Sequence, residues 1–337
     1  MEAPTPSLDD LRESVDDVLV DFLSDRRASL PEACLLIDEI ERLVRAGGKR
    51  LRPSFCYWGH RAAGAQHSDR IVRAAASLEL LHTFAIVHDD IMDRSDERRG
   101  EPTVHVKHGS EVALLVGDLS LVLADHLFFD CGCPPEKMQQ AFVAYSRMRQ
   151  EVIAGQFLDI NSSGRSDVDV ELARRIAVLK SGRYSVQEPL VIGALLGGAE
   201  EGCIRGLTEF GGPLGEAFQL RDDLLGLFGE RSSIGKSTDS DIREGKRHLL
   251  YAFAVEALNG AEREFFLRRW GGGAALDETE VERLRQLVET SGARTRCEEH
   301  LATLEERAGA VLARLEAPAE AKEALARLSA RATHRSV

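Results

Sequence analysis

The 337-residue chain has no run of alternating apolar and polar residues set between Asn-Gly or Asp-Gly turns, so a fold built on sheets is excluded. It has no Pro/Ser-rich linker and no internal repeat, which argues for one large domain. A core of that size can enclose an apolar cavity and remain stable. Excess positive charge is missing too: 43 Lys and Arg against 56 Asp and Glu leave −13, and with it no basic stripe for a nucleic acid. An anionic substrate would meet a repelling field, so its site needs local Arg and Lys or bound cations. The acidic N-terminus, MEAPTPSLDDLRESVDD, lacks the basic start and apolar stretch of a secretory signal. The most apolar stretch, Leu114 to Phe129, is broken by Asp118 and Asp125 and reads as too short and too charged to span a membrane. Six scattered cysteines include Cys131-Gly132-Cys133, but no second Cys/His pair stands at zinc spacing. Reduced, mostly buried thiols in a cytoplasmic protein are the expectation. A nucleophile elbow, a P-loop, a dinucleotide fingerprint and an HExxH motif are all absent.

What is present is helical periodicity nearly throughout. The pattern predicts helices over about 7–27, 33–46, 53–64, 68–93, 109–129, 136–161, 170–199 with a kink, 202–228, 247–258, 261–271, 278–291 and, in pieces, 293–333. Ile71–Val87 and much of Gly206–Phe228 are apolar nearly all round, which belongs in an interior. Each of these helices ends in an aspartate pair, Asp89-Asp90 and Asp222-Asp223. Carboxylates at the ends of buried helices are costly unless they meet a cation. Three stretches read as loops: Gly47 to Arg50, Arg94 to Pro102, and Gly229 to Lys246, the last long enough for a lid.

Asp89 and Asp93 lie one turn apart on one helix face. Such a pair suits a hard cation, and Mg²⁺ commonly takes one or two carboxylates plus substrate phosphates. Alone, this spacing describes a solvated acidic helix end as well as a metal site. The second pair, in Phe218-Gln219-Leu220-Arg221-Asp222-Asp223, shifts the balance, because two such ends facing each other would clamp a diphosphate. Basic residues flank the acidic pairs: Lys49 and Arg52, Arg98 and Arg99, Lys180, Lys236 and Lys246. His82, two turns before Asp89, is either a satisfied core histidine or a donor to a diphosphate oxygen. Metals, fixed positive charge and an apolar cavity together suit an ionisation shielded from water.

The residues resemble the trans-isoprenyl diphosphate synthase (polyprenyl synthetase) family. The motifs are GGKRLRP at 47–53, LLHTFAIVHDDIMD at 80–93, RRGEPTVH at 98–105, AGQFLD at 154–159, KSGRY at 180–184, FQLRDD at 218–223 and GKSTDSDIREGK at 235–246. The resemblance implies an all-α, single-domain bundle around a central cavity, the isoprenoid synthase fold. It implies one domain over 1–337, with core motifs over about 40–250 and a helical extension over 293–337. It implies homodimers and Mg²⁺, with three ions per site and Mn²⁺ able to substitute. By position, Asp89, Asp93 and Asp222 would ligate metal directly, with Asp90 and Asp223 in support. Arg98, Lys180, Gln219, Lys236 and Lys246 would hold the allylic diphosphate. Gly48, Lys49, Arg52, His82 and Arg99 would hold isopentenyl diphosphate. Gln156 and Asp159 would face substrate, and Ser181 and Tyr184 would place a hydroxyl near the carbocation.

The family's chain-length gate falls on Phe84 and Ala85, which resembles the geranylgeranyl class, with farnesyl product as the alternative. Two positions depart from the pattern: Gly226 replaces the last Asp of the second motif, and Ser181 stands where Thr is common. Asp223 and Glu230 also fit the spacing of a class I terpene cyclase, and a non-catalytic synthase subunit is a further alternative. The intact GGKRLRP and Arg98-Arg99 tell against a cyclase, and the complete first motif tells against an inactive subunit.

Overall fold

The computed structural model describes residues 6–229 and 239–334. Helix follows helix, beginning with α1 (Leu8–Ser29), α2 (Cys34–Arg45), α3 (Leu51–Ala62) and α4 (Asp69–Asp93). A charged turn carries the hairpin β1 (Glu97–Arg98) and β2 (Glu101–Pro102), among the described residues the only sheet. Then come α5 (Val104–His108), α6 (Ser110–Phe129), α7 (Pro135–Ser162), α8 (Val170–Ala177), a π-helix over Val178–Gln187, α9 (Glu188–Gly197) and α10 (Glu201–Phe228). From residue 239 onward come α11 (Ser240–Glu244), α12 (Leu249–Ala257), α13 (Gly260–Arg269), α14 (Glu278–Thr290), α15 (Ala293–Arg314) and α16 (Ala319–Thr333).

Local chemistry explains several boundaries. In α1 the Ser7 hydroxyl accepts from the Asp10 amide while the Asp10 carboxylate accepts from the Ser7 amide, a reciprocal cap. Asp277 and Glu280 repeat it at α14. The single kinked helix expected over 170–199 is in fact three segments, because a ten-residue π-turn intervenes between α8 and α9. Pro189, just inside α9, has no N–H to offer the preceding turn, so a widened turn ahead of it leaves no broken ladder bond.

Two apolar clusters form the interior, and α10 belongs to both. Its Leu207, Phe210 and Leu214 pack with α3, α4, α6 and α9, and its Leu220, Leu224 and Leu227 pack with α12 to α15. The helices after residue 293 are likewise interior elements. Leu301 and Leu304 of α15 enter the second cluster, whereas Val311 of α15 and Leu325 and Leu328 of α16 enter the first. Each fully buried Leu stabilises by about 1.5–3 kcal/mol.

The sequence reading of the α6 region as unable to span a membrane is too strict. The helix starts at Ser110, ahead of Leu114, and by length and composition both it and α4 could cross one. Of their most apolar windows, 67% for α4 and 44% for α6 is buried inside the fold. α4 is thus a core helix. α6 buries one face and leaves Leu114, Leu115, Val122 and Phe129 exposed on the other, and α7 likewise exposes Val143 and Ile153.

Candidate active site

Both aspartate pairs stand near helix C-termini, where the backbone dipole is already negative and a carboxylate is disfavoured. α4 stops directly after Asp93 because Arg94 adopts a left-handed φ of 56° and its amide caps the Asp90 and Ile91 carbonyls. Side chains from distant elements supply the missing positive charge. The Lys180 ammonium donates to Asp89 at 2.9 Å and to Asp159 at 2.6 Å. Gln156 Nε2 donates to the same Asp89 oxygen at 3.0 Å. Lys246 donates to Asp93 and stands 3.6 Å from Asp159. Burial alone would raise the Asp89 carboxyl, but Lys180, Lys246 and Arg98 hold it well below the usual carboxylate range. Asp93 moves the other way, raised by burial and by the Asp89 charge.

Arg98 forks onto Asp90, with Nε at 2.9 Å and Nη2 at 2.7 Å, and its Nη2 lies 3.8 Å from Asp89. Asp90 therefore serves as the seat of an arginine in this state.

The π-helix delivers Lys180 because glycines let it approach on two sides. A Cβ on Gly155 of α7 would come within 2.3 Å of the Lys180 backbone nitrogen, and one on Gly215 of α10 within 2.3 Å of the Gly182 carbonyl oxygen.

At the second pair, Asp223 is 7% exposed. Its Oδ1 accepts from Gln219 at 2.7 Å, and its Oδ2 has no hydrogen-bond partner among the described residues. Burial, with Asp241, Asp222 and Asp159 nearby, pushes this carboxyl well above its ordinary value. An orphaned buried carboxylate oxygen among other carboxylates is what a cation-binding set leaves when described alone. Among the described residues no three His, Cys, Asp or Glu side chains converge closely enough to hold a metal by themselves. That fits Mg²⁺, which keeps few protein ligands and completes its octahedron with phosphate and water oxygens.

Beside the acidic ends lies a cationic pocket. Gly47 and Gly48 take φ of 86° and 157° and Arg50 takes 47°, so the turn folds back under α3. Arg50 is buried and bonded to Asp16 at 2.6 Å, Glu79 at 2.9 Å and the Val44 carbonyl at 2.6 Å. Arg99 donates to the Gly47 carbonyl, and a Cβ on Gly48 would lie 3.4 Å from Arg50 and 3.6 Å from Arg99. Arg52 donates to Tyr184 Oη and Ser185 Oγ, both at 2.8 Å, with its guanidinium 4.4 Å over the Tyr184 ring. Tyr184 Oη pairs with His82 Nδ1 at 3.2 Å. Burial, then Arg52, Arg99, Arg98 and Arg50, depress His82 well below its ordinary value, so it is a neutral ring here. Lys49 reaches the Arg331 carbonyl at 3.3 Å, near the end of α16.

Ser181 follows Lys180 on the π-helix. Phe84 and Ala85 are half-buried on α4 below the first motif. Lys236 and Glu230 lie outside the described residues. Two clefts, of about 470 and 480 Å³, open elsewhere, and none of these carboxylates lines them.

Arg50, Glu79 and Asp241 are absent from the set the sequence suggests. The left-handed residue after two glycines is the one local sign that Arg50 turns inward, and nothing local marks Asp241.

Residues 34–289 match the polyprenyl synthetase family. The chain is 37% identical over 272 residues to a geranylgeranyl diphosphate synthase of Sulfolobus acidocaldarius, covering 79% of this chain and 78% of that one. It is 34% identical over 316 residues to a geranylfarnesyl diphosphate synthase of Aeropyrum pernix, covering 92% and 96%. Among solved structures it is similar to a geranylgeranyl pyrophosphate synthase from Corynebacterium glutamicum complexed with isoprenyl diphosphate and magnesium. The TM-score is 0.93 at 32% identity, with 98% and 100% of the two chains covered.

Proposed function

The chain belongs to the polyprenyl synthetase family and is a short-chain prenyltransferase, and we propose that it condenses isopentenyl diphosphate with an allylic diphosphate to give geranylgeranyl diphosphate. The observation that carries this is the junction at Tyr184. One π-helix brings Lys180 onto Asp89 and Tyr184 onto Arg52 and His82, so a cation-seeking site and an anion-seeking site share one wall. That suits two diphosphates held side by side.

Asp89, Asp93 and Asp222, supported by Asp223, are the residues that would hold Mg²⁺, which supplies Lewis-acid neutralisation of a departing diphosphate. Lys180, Lys246 and Arg98 stand ready to transfer from carboxylates to the allylic diphosphate oxygens, which Lys236 and Gln219 would also contact. Arg52 and Arg99, at the Gly48 turn and with Lys49 at its rim, hold isopentenyl diphosphate. The neutral His82 donates without adding charge to an already crowded cationic pocket. Tyr184 Oη and the Ser181 hydroxyl present oxygen lone pairs towards developing positive charge at the allylic carbon. The C–O bond ionises, the isopentenyl double bond attacks, and a proton leaves to the released diphosphate. Orientation of two substrates contributes about 7–11 kcal/mol in favourable cases.

Product length is set between α4 and α6. Phe84 meets the His88 ring edge-on at 4.9 Å, His88 Nε2 stands 3.2 Å from the Leu114 carbonyl, and a Cβ on Gly117 would fall 2.2 Å from that nitrogen. His88 thus wedges the two helices together next to Asp89, and Phe84 lies below it, five residues or about 7.5 Å from Asp89 along α4. Phe84→Ala is expected to lengthen the product by at least one five-carbon unit, read by chromatography of the dephosphorylated alcohols. An unchanged product distribution places the stop elsewhere.

We assign the whole of 1–337 to one domain, with Mn²⁺ able to replace Mg²⁺ and three ions per site. A second copy of the chain covers the exposed apolar face of α6 and α7. Sedimentation equilibrium should return twice the 37.1 kDa chain mass, and a monomer at micromolar concentration would refute that assembly. Six unpaired cysteines suit the cytoplasm.

The deciding experiment supplies labelled isopentenyl diphosphate, Mg²⁺ and each allylic starter in turn. A twenty-carbon alcohol that vanishes with EDTA is expected. No incorporation from any starter overturns the proposal.

A further inference from the structure

Position 226 lies one turn beyond Asp222, as Asp93 lies one turn beyond Asp89, yet it holds glycine. The space that its side chain would enter is occupied. A Cβ built on Gly226 would stand 2.4 Å from Asp241 Oδ2, about as far as an aspartate's Cβ stands from its own carboxylate oxygen. We propose that Asp241, from α11, supplies through space the carboxylate that the second acidic motif lacks, so that Asp222, Asp223 and Asp241, too spread to hold a metal by themselves, meet a cation together with diphosphate oxygens. This builds on the prenyltransferase function proposed above.

Three observations support it. First, α11 is built to hold Asp241 there. The Arg285 guanidinium of α14 donates to the Leu227 carbonyl at 3.0 Å and to Asp239 at 2.8 Å, tying the end of α10 to the start of α11. Ile242 is fully buried, and Gly245, at φ 73°, caps α11 by donating to the Asp241 carbonyl. Second, Asp223, 93% buried by its 7% exposure, keeps Oδ2 without a partner among the described residues, and Asp241 and Asp222 are the acidic groups that act on it most strongly. A buried oxygen left unbonded within the field of two neighbouring carboxylates suits a cation better than a neutral donor. Third, the same turn carries Lys246, which bonds Asp93 of the first motif. One short element therefore addresses both acidic helix ends, with a carboxylate for one and an ammonium for the other.

Gly226 is then not a loss. A carboxylate borne by α10 is fixed with that helix, whereas one borne by α11 is placed by the same segment that places Lys246.

The test is calorimetric titration of Mg²⁺ with inorganic pyrophosphate, which needs no turnover, run on the wild type, Asp241→Asn, Gly226→Asp and the double variant Gly226→Asp/Asp241→Ala, in which the alanine vacates the space that a side chain at 226 must enter. Thermal melts in EDTA confirm that each is folded, and the isosteric Asp241→Asn is the change least able to disturb folding. Asp241→Asn should weaken the Mg²⁺–pyrophosphate complex about 10-fold or more, within the range seen when groups supporting a metal are removed. The Mg²⁺ concentration for half-maximal activity should rise in parallel, with KM for isopentenyl diphosphate unmoved. In the double variant, a carboxylate returned to position 226 should restore affinity to within about threefold of wild type. Wild-type affinity in Asp241→Asn, or a double variant no tighter than Asp241→Asn, overturns the role of Asp241. Absence of any Mg²⁺–pyrophosphate binding by the wild type would instead overturn the prenyltransferase site as a whole, so the two failures are distinguishable.

Discussion

Asp89→Asn is expected to lower kcat by about 10³-fold or more, since removing one preorganised electrostatic group at a reacting centre typically loses 10²–10³ and this one anchors several others. The change is nearly isosteric, but it removes the negative charge on which Lys180, Gln156 and, at 3.8 Å, Arg98 converge. A neutral amide also offers a hard cation one weaker oxygen in place of a carboxylate. In the folded metal-free protein Lys180 keeps Asp159 at 2.6 Å, so the destabilisation should fall below the roughly 3–5 kcal/mol of a fully orphaned buried charge. Steady-state kinetics at saturating Mg²⁺, with a thermal melt alongside, separate the two effects. A kcat within tenfold of wild type would remove Asp89 from the chemistry.

The second large effect comes from a residue with no side chain. In Gly155→Ala the new methyl would sit 2.3 Å from the Lys180 nitrogen, 2.6 Å from its Cα and 2.7 Å from the Leu179 carbonyl carbon. All three are backbone atoms and cannot rotate away, so the π-helix must shift bodily. A misplacement of about 1 Å can lower a rate about 10²-fold, and overpacking of this kind destabilises by about 1–3 kcal/mol. Gly212→Ala is the matched control, because its methyl would meet only the Gln187 side-chain oxygen at 3.3 Å. Equal activity in the two variants would show that the π-helix is free to adjust and that Lys180 is not positioned by it.

These two predictions mark where the sequence was legible. The helix end bearing Asp89 announces itself, because an apolar helix terminating in paired carboxylates is electrostatically odd wherever it occurs. The boundaries of α4 and α10 follow from the same periodicity. The π-helix left no such trace: a shift from i→i−4 to i→i−5 bonding alters neither composition nor apolar spacing enough to show in ten residues. Lys180 was therefore placed by motif, without a reason for its reach. The inward turn of Arg50 depends on Asp16 and Glu79, which lie on two other helices. Asp241 is fifteen positions from Gly226, and only tertiary structure brings them together. The helices after residue 293 stand in the sequence only as an extension beyond the core motifs, because their polar faces dominate the composition, yet Leu301, Leu304 and Leu325 complete both interiors.

The ammonium groups of Lys180 and Lys246 resting on Asp89, Asp159 and Asp93 have one more consequence. On the function proposed above, each lysine would compete with a divalent ion for the same oxygens, so metal alone would have to displace an internal counterion. A diphosphate gives those lysines an alternative anion. Metal and substrate must then raise each other's affinity by one common factor, as thermodynamic reciprocity demands. The metal-free chain is then an internally compensated salt, and on the proposed function it would resist loading an ion until the substrate arrives.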